Sequence, residues 1–264
     1  MNTLRISRAG PGIVSVELNR PGKHNAMSAE MIEELHNAAG LIGNDPDIRA
    51  VILGAVGRSF CAGADLGWMR SMINAGAIER RRESLKLAQM LNRWGRLPKP
   101  TIGKVQGNAF GGGIGLMSVC DICLVAASAE FAFSEVRLGL IPATISPYVI
   151  AKIGAAPARR HFISGKRFDA CEAVTIGLAT KAVEPARLDS EARREAEEFL
   201  CAAPEAVAEA KALTWLKGGG GELIQQTADR LTARWETAEA AEGISAFFER
   251  RNPDWMQVPE SRAE

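Results

Sequence analysis

Apolar and polar positions alternate over Leu4–Ser7 and again over Ile13–Leu18, with Gly10-Pro11-Gly12 between them. That pattern predicts a β-hairpin. Ser28 is placed to cap a helix over Ala29–Leu41, and Glu30, Glu33 and Glu34 stand near its start, where carboxylates complement free N–H groups. Ala50-Val51-Ile52-Leu53, Thr101-Ile102-Gly103-Lys104-Val105 and Ile122-Cys123-Leu124-Val125 are short, mainly apolar runs that read as buried strands. Between the first two of these, Ala77–Trp94 has helical period, with Leu85, Leu87, Ala88, Met90, Leu91 and Trp94 as its apolar stripe. Pro98 and Pro100 break the chain before the next strand. Strand–loop–helix units continue to about residue 184, with Ile163–Phe168 and Ala179–Val183 as the last extended segments. After Pro185 the pattern turns helical over 186–200, 205–217, 222–241 and 243–250, with breaks at Pro204 and at Gly218-Gly219-Gly220-Gly221. The expectation is an α/β core over 1–185 followed by an α-helical region over 186–264.

Composition narrows this picture only slightly. The chain has 264 residues, 47% hydrophobic and 24% charged, as in ordinary globular proteins. A net charge of +1 gives no general attraction to nucleic acid. No apolar run reaches the ~18–20 residues that span a bilayer, and the first residues carry no long apolar core, so a cytoplasmic location with no membrane partner is expected. The five cysteines are scattered. Cys120 and Cys123 have a Cys-x-x-Cys spacing, but no second pair completes a zinc site, and they read as small apolar residues beside a strand. His24, His36 and His161 have no metal-like spacing, so no metal is expected. Arg80-Arg81-Arg82 reads as a solvated helix face rather than a phosphate site.

The candidate chemistry lies in two small-residue loops. One reads Gly57-Arg58-Ser59-Phe60-Cys61-Ala62-Gly63-Ala64-Asp65-Leu66 and the other Gly107-Asn108-Ala109-Phe110-Gly111-Gly112-Gly113-Ile114-Gly115. Each follows a buried strand and leads toward a helix. Small residues let a ligand approach the backbone, and free N–H groups at a helix start face developing negative charge. One N–H from each loop, aimed at the same oxygen, makes an oxyanion hole and implies chemistry at a carbonyl. Glu135 follows the apolar run Phe131-Ala132-Phe133; a partly buried carboxyl there would have a raised pKa, suited to proton transfer.

Phe60–Leu66 and Gly107–Gly113 resemble the two signature segments of the crotonase (enoyl-CoA hydratase/isomerase) family. The resemblance also runs through Leu18-Asn19-Arg20-Pro21, Asn25-Ala26-Met27-Ser28, Cys120-Asp121-Ile122, Phe133–Pro142, Glu242-Gly243-Ile244 and Ala246–Arg251. It implies a spiral of ββα units, assembled as a homotrimer or homohexamer through the C-terminal helices. It implies an acyl-CoA substrate, with coenzyme A as the carrier and no tightly bound cofactor. The oxyanion contacts it implies are the N–H groups of Ala64 and Gly112, and the catalytic carboxylate is Glu135. Substrate contacts would come from Lys23, His24, Ala26, Ala62, Asp65, Leu66, Gly111, Gly115 and Leu138. Arg58 is a candidate for a phosphate, and Phe248 and Arg251 for completing a neighbouring subunit's site.

The chain departs from the best-known hydratase pattern at Gly115, where that pattern has a second glutamate. One glutamate can hydrate a 2-enoyl-CoA if another polar group helps to orient water. It can also shuttle a proton without water, which is isomerisation of a 3-enoyl-CoA. A third alternative is an acyl-CoA-binding relative without activity. Gly111–Leu116 followed by Leu138–Tyr148 resembles bacterial hydratases of branched glutaconyl-CoA type, such as methylglutaconyl-CoA hydratases. The resemblance therefore implies hydration, in fatty acid or branched amino acid degradation. A glutaconyl carboxylate would need a cation, for which Arg70 and Arg137 are the nearby candidates.

Overall fold

A computed structural model describes residues 1–216 and 220–257. Strands β1 (Leu4–Gly10) and β2 (Ile13–Leu18) form the expected antiparallel hairpin, which turns through Gly12 at φ +65°. β3 (Ala50–Ala55), β4 (Thr101–Val105) and the short β5 (Ala109–Phe110) follow. The remaining strands are β6 (Ile122–Ala126), β7 (Glu130–Ala132), β8 (Phe168–Asp169) and β9 (Lys181–Val183). Among the described residues they form a main sheet, order β1-β2-β3-β4-β6-β9, and a small one, order β5-β7-β8. The main sheet is parallel from β2 onward, and every residue of β3 is buried, as its unbroken apolar run requires of a covered parallel strand.

Helices alternate with these strands. α1 (Ala29–Asn44) begins at Ser28, whose hydroxyl accepts from the Met31 N–H at 3.2 Å, and it buries Met31, Ile32, Leu35, Ala38, Ala39 and Ile42. α2 (Leu66–Asn74) and α3 (Ala77–Gly95) lie between β3 and β4. Trp94 of α3 is fully buried against α1 and donates its indole N–H to the Leu35 carbonyl at 2.9 Å. Its truncation to alanine would cost about 3–5 kcal/mol. α4 (Gly112–Val119) precedes β6; α5 (Ser146–Ile153), α6 (Ala155–Ser164) and α7 (Ala170–Thr175) lie between β7 and β9. α8 (Leu188–Glu198) packs on β3, β4 and β6, so the first helix after residue 185 covers the core sheet. α9 (Pro204–Leu213), α10 (Gly220–Trp235) and α11 (Ala238–Glu249) follow. Residues 217–219, with Gly218 and Gly219 of the expected glycine break, and 258–264, the end of the expected helical region, lie outside the described residues.

Several expectations change. Leu85 is 46% exposed and leaves the stripe of α3, while Glu83 is buried through ion pairs with Arg82 and Lys86. Ile163 and Ser164 close α6 rather than open a strand, because Gly165 terminates the helix at φ +56°; only Phe168 and Asp169 are extended. The last helical break falls at Thr237, whose hydroxyl caps α11 by accepting from Ala240 N–H, rather than before Gly243. Gly243 sits inside α11, where an added Cβ would come within 2.8 Å of the Trp255 ring. Arg80 closes α2 by donating to the carbonyls of Met72 and Ile73.

Candidate active site

The two glycine-rich loops are stitched together side by side. Phe60 and Cys61 N–H donate to the Asn108 carbonyl at 3.1 and 3.2 Å, and Phe110 N–H donates to the Cys61 carbonyl at 2.9 Å. Gly107 permits the approach: a Cβ there would stand 2.0 Å from the Arg58 carbonyl oxygen. On the other side of the first loop, Met27 N–H donates to Gly63 and Asp65 N–H donates to Met27, with Gly63 at φ +93°. This parallel bridge engages the neighbours of Ala64 and leaves the Ala64 N–H free. In the second loop, Gly111 N–H donates to the Ala132 carbonyl at 3.0 Å, and Gly111 itself adopts φ +49°, ψ −116°. Gly112 then opens α4 with no side chain capping it. Among the described residues, neither Ala64 N–H nor Gly112 N–H donates to another group. Both residues line one cavity of about 700 Å³.

Glu135 lines the same cavity. It sits in a short 3₁₀ turn, Ser134–Leu138, behind the buried Phe133, which packs on Phe162 at 4.9 Å and Phe168 at 6.1 Å between ring centres. The carboxyl lies over Gly111, where a Cβ would be 2.9 Å from Oε1. Oε2 is buried and has no hydrogen-bond partner. Burial pushes the pKa of Glu135 above the ordinary 4.5, partly offset by a hydrogen bond from its own N–H. A half-desolvated carboxylate beside two unused N–H groups can move a proton while an adjacent carbonyl oxygen gains charge.

Of the other expected site residues, Ala62, Leu66, Gly111 and Leu138 line the cavity, Leu66 and Leu138 being largely exposed. Asp65 is occupied otherwise: its carboxylate caps α2 through Gly67 and Trp68 N–H and pairs with Arg20 at 2.9 Å. Lys23, His24 and Ala26 lie beside the first loop but not in the cavity wall. Lys23 is exposed, Ala26 is buried, and His24 meets the Ser59 hydroxyl at 3.0 Å and the Arg58 guanidinium at 3.2 Å. Asn25 ties that segment down, donating to the carbonyls of Val56 and Ser59. Phe248 is exposed, and Arg251 is paired with Glu242 and Glu249; neither reaches this chain's cavity. Arg70 and Arg137 are exposed and also lie outside the wall.

Gly115 requires a correction. It is buried in α4 and does not open onto the cavity. A Cβ there would stand 2.4 Å from Ile145 Cγ2 and 3.1 Å from Ile145 Cβ, so the space that the expectation left to substrate belongs to Ile145. Met27, Ile32, Trp68, Met69, Leu87, Ile141, Thr144 and Ile145 also line the wall, and none of them was expected from the sequence to contact substrate. Such residues look like ordinary core in a sequence, and only the meeting of α2, α3 and the segment before α5 makes them a wall.

Cys120 and Cys123 are free, buried thiols with raised pKa values, that of Cys123 pushed up to about 11, and Gly103 is glycine because both sulfurs crowd it at 3.2 Å. Among the described residues, no group of three His, Cys, Asp or Glu side chains is arranged to hold a metal ion, and no helix is long and apolar enough to cross a membrane.

Residues 8–258 match the enoyl-CoA hydratase/isomerase family. A short-chain-enoyl-CoA hydratase of Clostridium acetobutylicum is 34% identical over 209 residues, covering 78% of each chain. A solved enoyl-CoA hydratase of Shewanella pealeana superposes with TM-score 0.92 at 34% identity, over 96% of each chain. Pseudomonas aeruginosa AtuE superposes with TM-score 0.91 at 33% identity, over 97% of this chain and 100% of that one. The chain belongs to the enoyl-CoA hydratase/isomerase, or crotonase, family, and it is an enzyme of that family with the crotonase fold.

Proposed function

We propose that the enzyme adds water across the 2,3-double bond of a 2-enoyl-CoA. The observation that carries this reading is the buried, unpartnered Glu135 Oε2 in one cavity with the free N–H groups of Ala64 and Gly112. The thioester oxygen accepts both N–H groups. Glu135 takes a proton from water as its oxygen bonds to C3, and the π electrons move through C2 onto the thioester oxygen as an enolate. The same carboxyl returns the proton to C2, which gives the 3-hydroxyacyl-CoA and restores Glu135. An oxyanion donor is worth about 2.7–4 kcal/mol in other enzymes. Because both donors here are backbone groups, side-chain truncation leaves them in place.

The finer substrate proposal is a branched glutaconyl-CoA, supported by the resemblance of Gly111–Leu116 and Leu138–Tyr148. The wall of this chain offers hydroxyls at Ser84, Ser134 and Thr144. A cation for the extra carboxylate would have to come from a side chain beyond the wall. A second reaction is favoured by one feature: Ile145 fills the place of a second glutamate, and a lone carboxyl suffices to shuttle a proton from C2 to C4. That reaction would isomerise a 3-enoyl-CoA.

The test is a panel of crotonyl-CoA, methylglutaconyl-CoA and a 3-enoyl-CoA, followed by the absorbance of the conjugated thioester. Loss of absorbance from the first two is expected. Its rise from the 3-enoyl-CoA, with no loss from the others, would replace hydration by isomerisation.

A further inference from the structure

A water molecule that attacks C3 needs more than one partner to hold it, since a bound water commonly makes about three hydrogen bonds. Glu135 supplies one. No carboxylate can stand at position 115, because Ile145 Cγ2 is 2.4 Å from where its Cβ would be. The second partner must therefore come from another polar group on the wall. The cavity offers the hydroxyls of Ser84, Ser134 and Thr144, and among the described residues none of them hydrogen-bonds to protein.

Their positions separate them. Ser134 is the chain neighbour of Glu135 in the same 3₁₀ turn and belongs to the segment that already supplies the carboxyl. Ser84 is exposed, so its hydroxyl is in contact with bulk water. Thr144 is partly buried and immediately precedes Ile145, the residue that occupies the missing carboxylate's place. The chain on either side of it is held: Ala143 N–H donates to Ile141 at 2.8 Å, Ser146 N–H donates to Pro142 at 3.0 Å, and Tyr148 and Val149 N–H donate to the Ile145 carbonyl. A hydroxyl on such a turn is pre-organised to orient one water molecule.

We infer that Thr144 holds the attacking water, its hydroxyl taking the orienting part that a carboxylate at position 115 would otherwise play, while Glu135 alone carries the proton. The inference rests on the hydratase reading. Thr144 contributes a hydrogen bond to the water oxygen or to one of its protons and exchanges no proton in the net reaction. Water adds its oxygen to C3, its first proton passes through Glu135 to C2, and its second remains on the new hydroxyl.

The experiment compares Thr144→Val, which keeps the branched shape and removes the hydroxyl, with Thr144→Ser, which keeps the hydroxyl. Steady-state hydration of crotonyl-CoA is measured together with thermal melting. For Thr144→Val the expected result is a kcat about tenfold lower or more, with KM within about twofold. Melting should be unchanged, and Thr144→Ser should recover most of the rate. Wild-type kcat in Thr144→Val overturns the inference, as does an equal loss in Thr144→Ser. So does a loss that appears in Ser84→Ala in place of Thr144→Val. A wild-type protein that hydrates none of the enoyl-CoAs overturns the hydratase reading itself, and this assignment with it.

Discussion

Glu135 is asked to accept a proton from water and give it to carbon, so replacing its carboxyl by an amide isolates the chemistry from the shape. Glu135→Gln is expected to lower kcat by about 100- to 10,000-fold while acyl-CoA affinity stays near wild type. Retention of more than half the wild-type kcat would remove Glu135 from the mechanism. Its raised pKa has two further consequences. The base must be ionised, so kcat/KM should fall on the acid side with a midpoint above the ordinary 4.5. In the window between the unfolded and folded pKa values the native state binds more protons than the unfolded one, so this group's contribution to stability falls as pH rises. Glu135→Gln should therefore melt at a higher temperature than wild type at pH 7, and the gain should vanish below about pH 4, where both states are protonated. A melting difference that does not depend on pH would contradict the burial of Oε2. Glu135 was singled out from the sequence because it stands where the crotonase resemblance puts a catalytic carboxylate, and the apolar run before it suggested only its burial. Ile145 was not, since its contact with Gly115 joins residues thirty positions apart and leaves no periodic trace.

The two loops behave as one element, and the glycines that join them differ in what they tolerate. Gly107→Ala places a Cβ against backbone, 2.0 Å from the Arg58 carbonyl, so the loops must part. The cost is expected at or above the top of the ~1–3 kcal/mol range for overpacking, with activity lost as Ala64 and Gly112 separate. A variant with unchanged melting temperature and full turnover would show that the loops do not need this contact. At Gly115 the obstacle is a side chain. Gly115→Glu should destabilise the protein and reduce turnover, and adding Ile145→Ala should restore part of the melting temperature by opening space for the new side chain. Equal destabilisation in the single and double variants would mean that the clash lies elsewhere. The helix caps at Ser28 and the buried β3 and β4 were plain from pattern, because capping and burial are local in sequence. Ile163–Ser164 misled because a short apolar run has the same composition in a strand as in a last helical turn, and Gly243 misled because it serves close packing under Trp255.

At the scale of the molecule, the C-terminal helices leave apolar surface that the other described residues do not cover. Ile224, Leu231 and Trp235 of α10 are 70%, 62% and 65% exposed, and Phe247 and Phe248 of α11 are 79% and 78% exposed. Leu213, Leu231, Trp235 and Ile244 also line an open apolar groove between α9, α10 and α11. Soluble monomers rarely expose such contiguous patches, and a closed symmetric assembly buries them on every copy at once. That surface argues for an assembly, and the crotonase resemblance makes the expected one a trimer or a pair of trimers, with a scattering mass three or six times the 28.3 kDa of one chain. A monomer mass at micromolar concentration would contradict this. Phe247→Asp together with Phe248→Asp should lower the mass, because it places charge where apolar contact is required. The activity of that variant carries the further argument. Glu135, Ala64 and Gly112 stand in one chain's cavity, so a dissociated subunit keeps the three groups that the proposed reaction uses as base and oxyanion donors. If Phe248 and Arg251 also close a neighbour's substrate site, dissociation should raise KM for acyl-CoA far more than it lowers kcat. Loss of both parameters in proportion would instead mean that assembly holds the catalytic loops themselves in place.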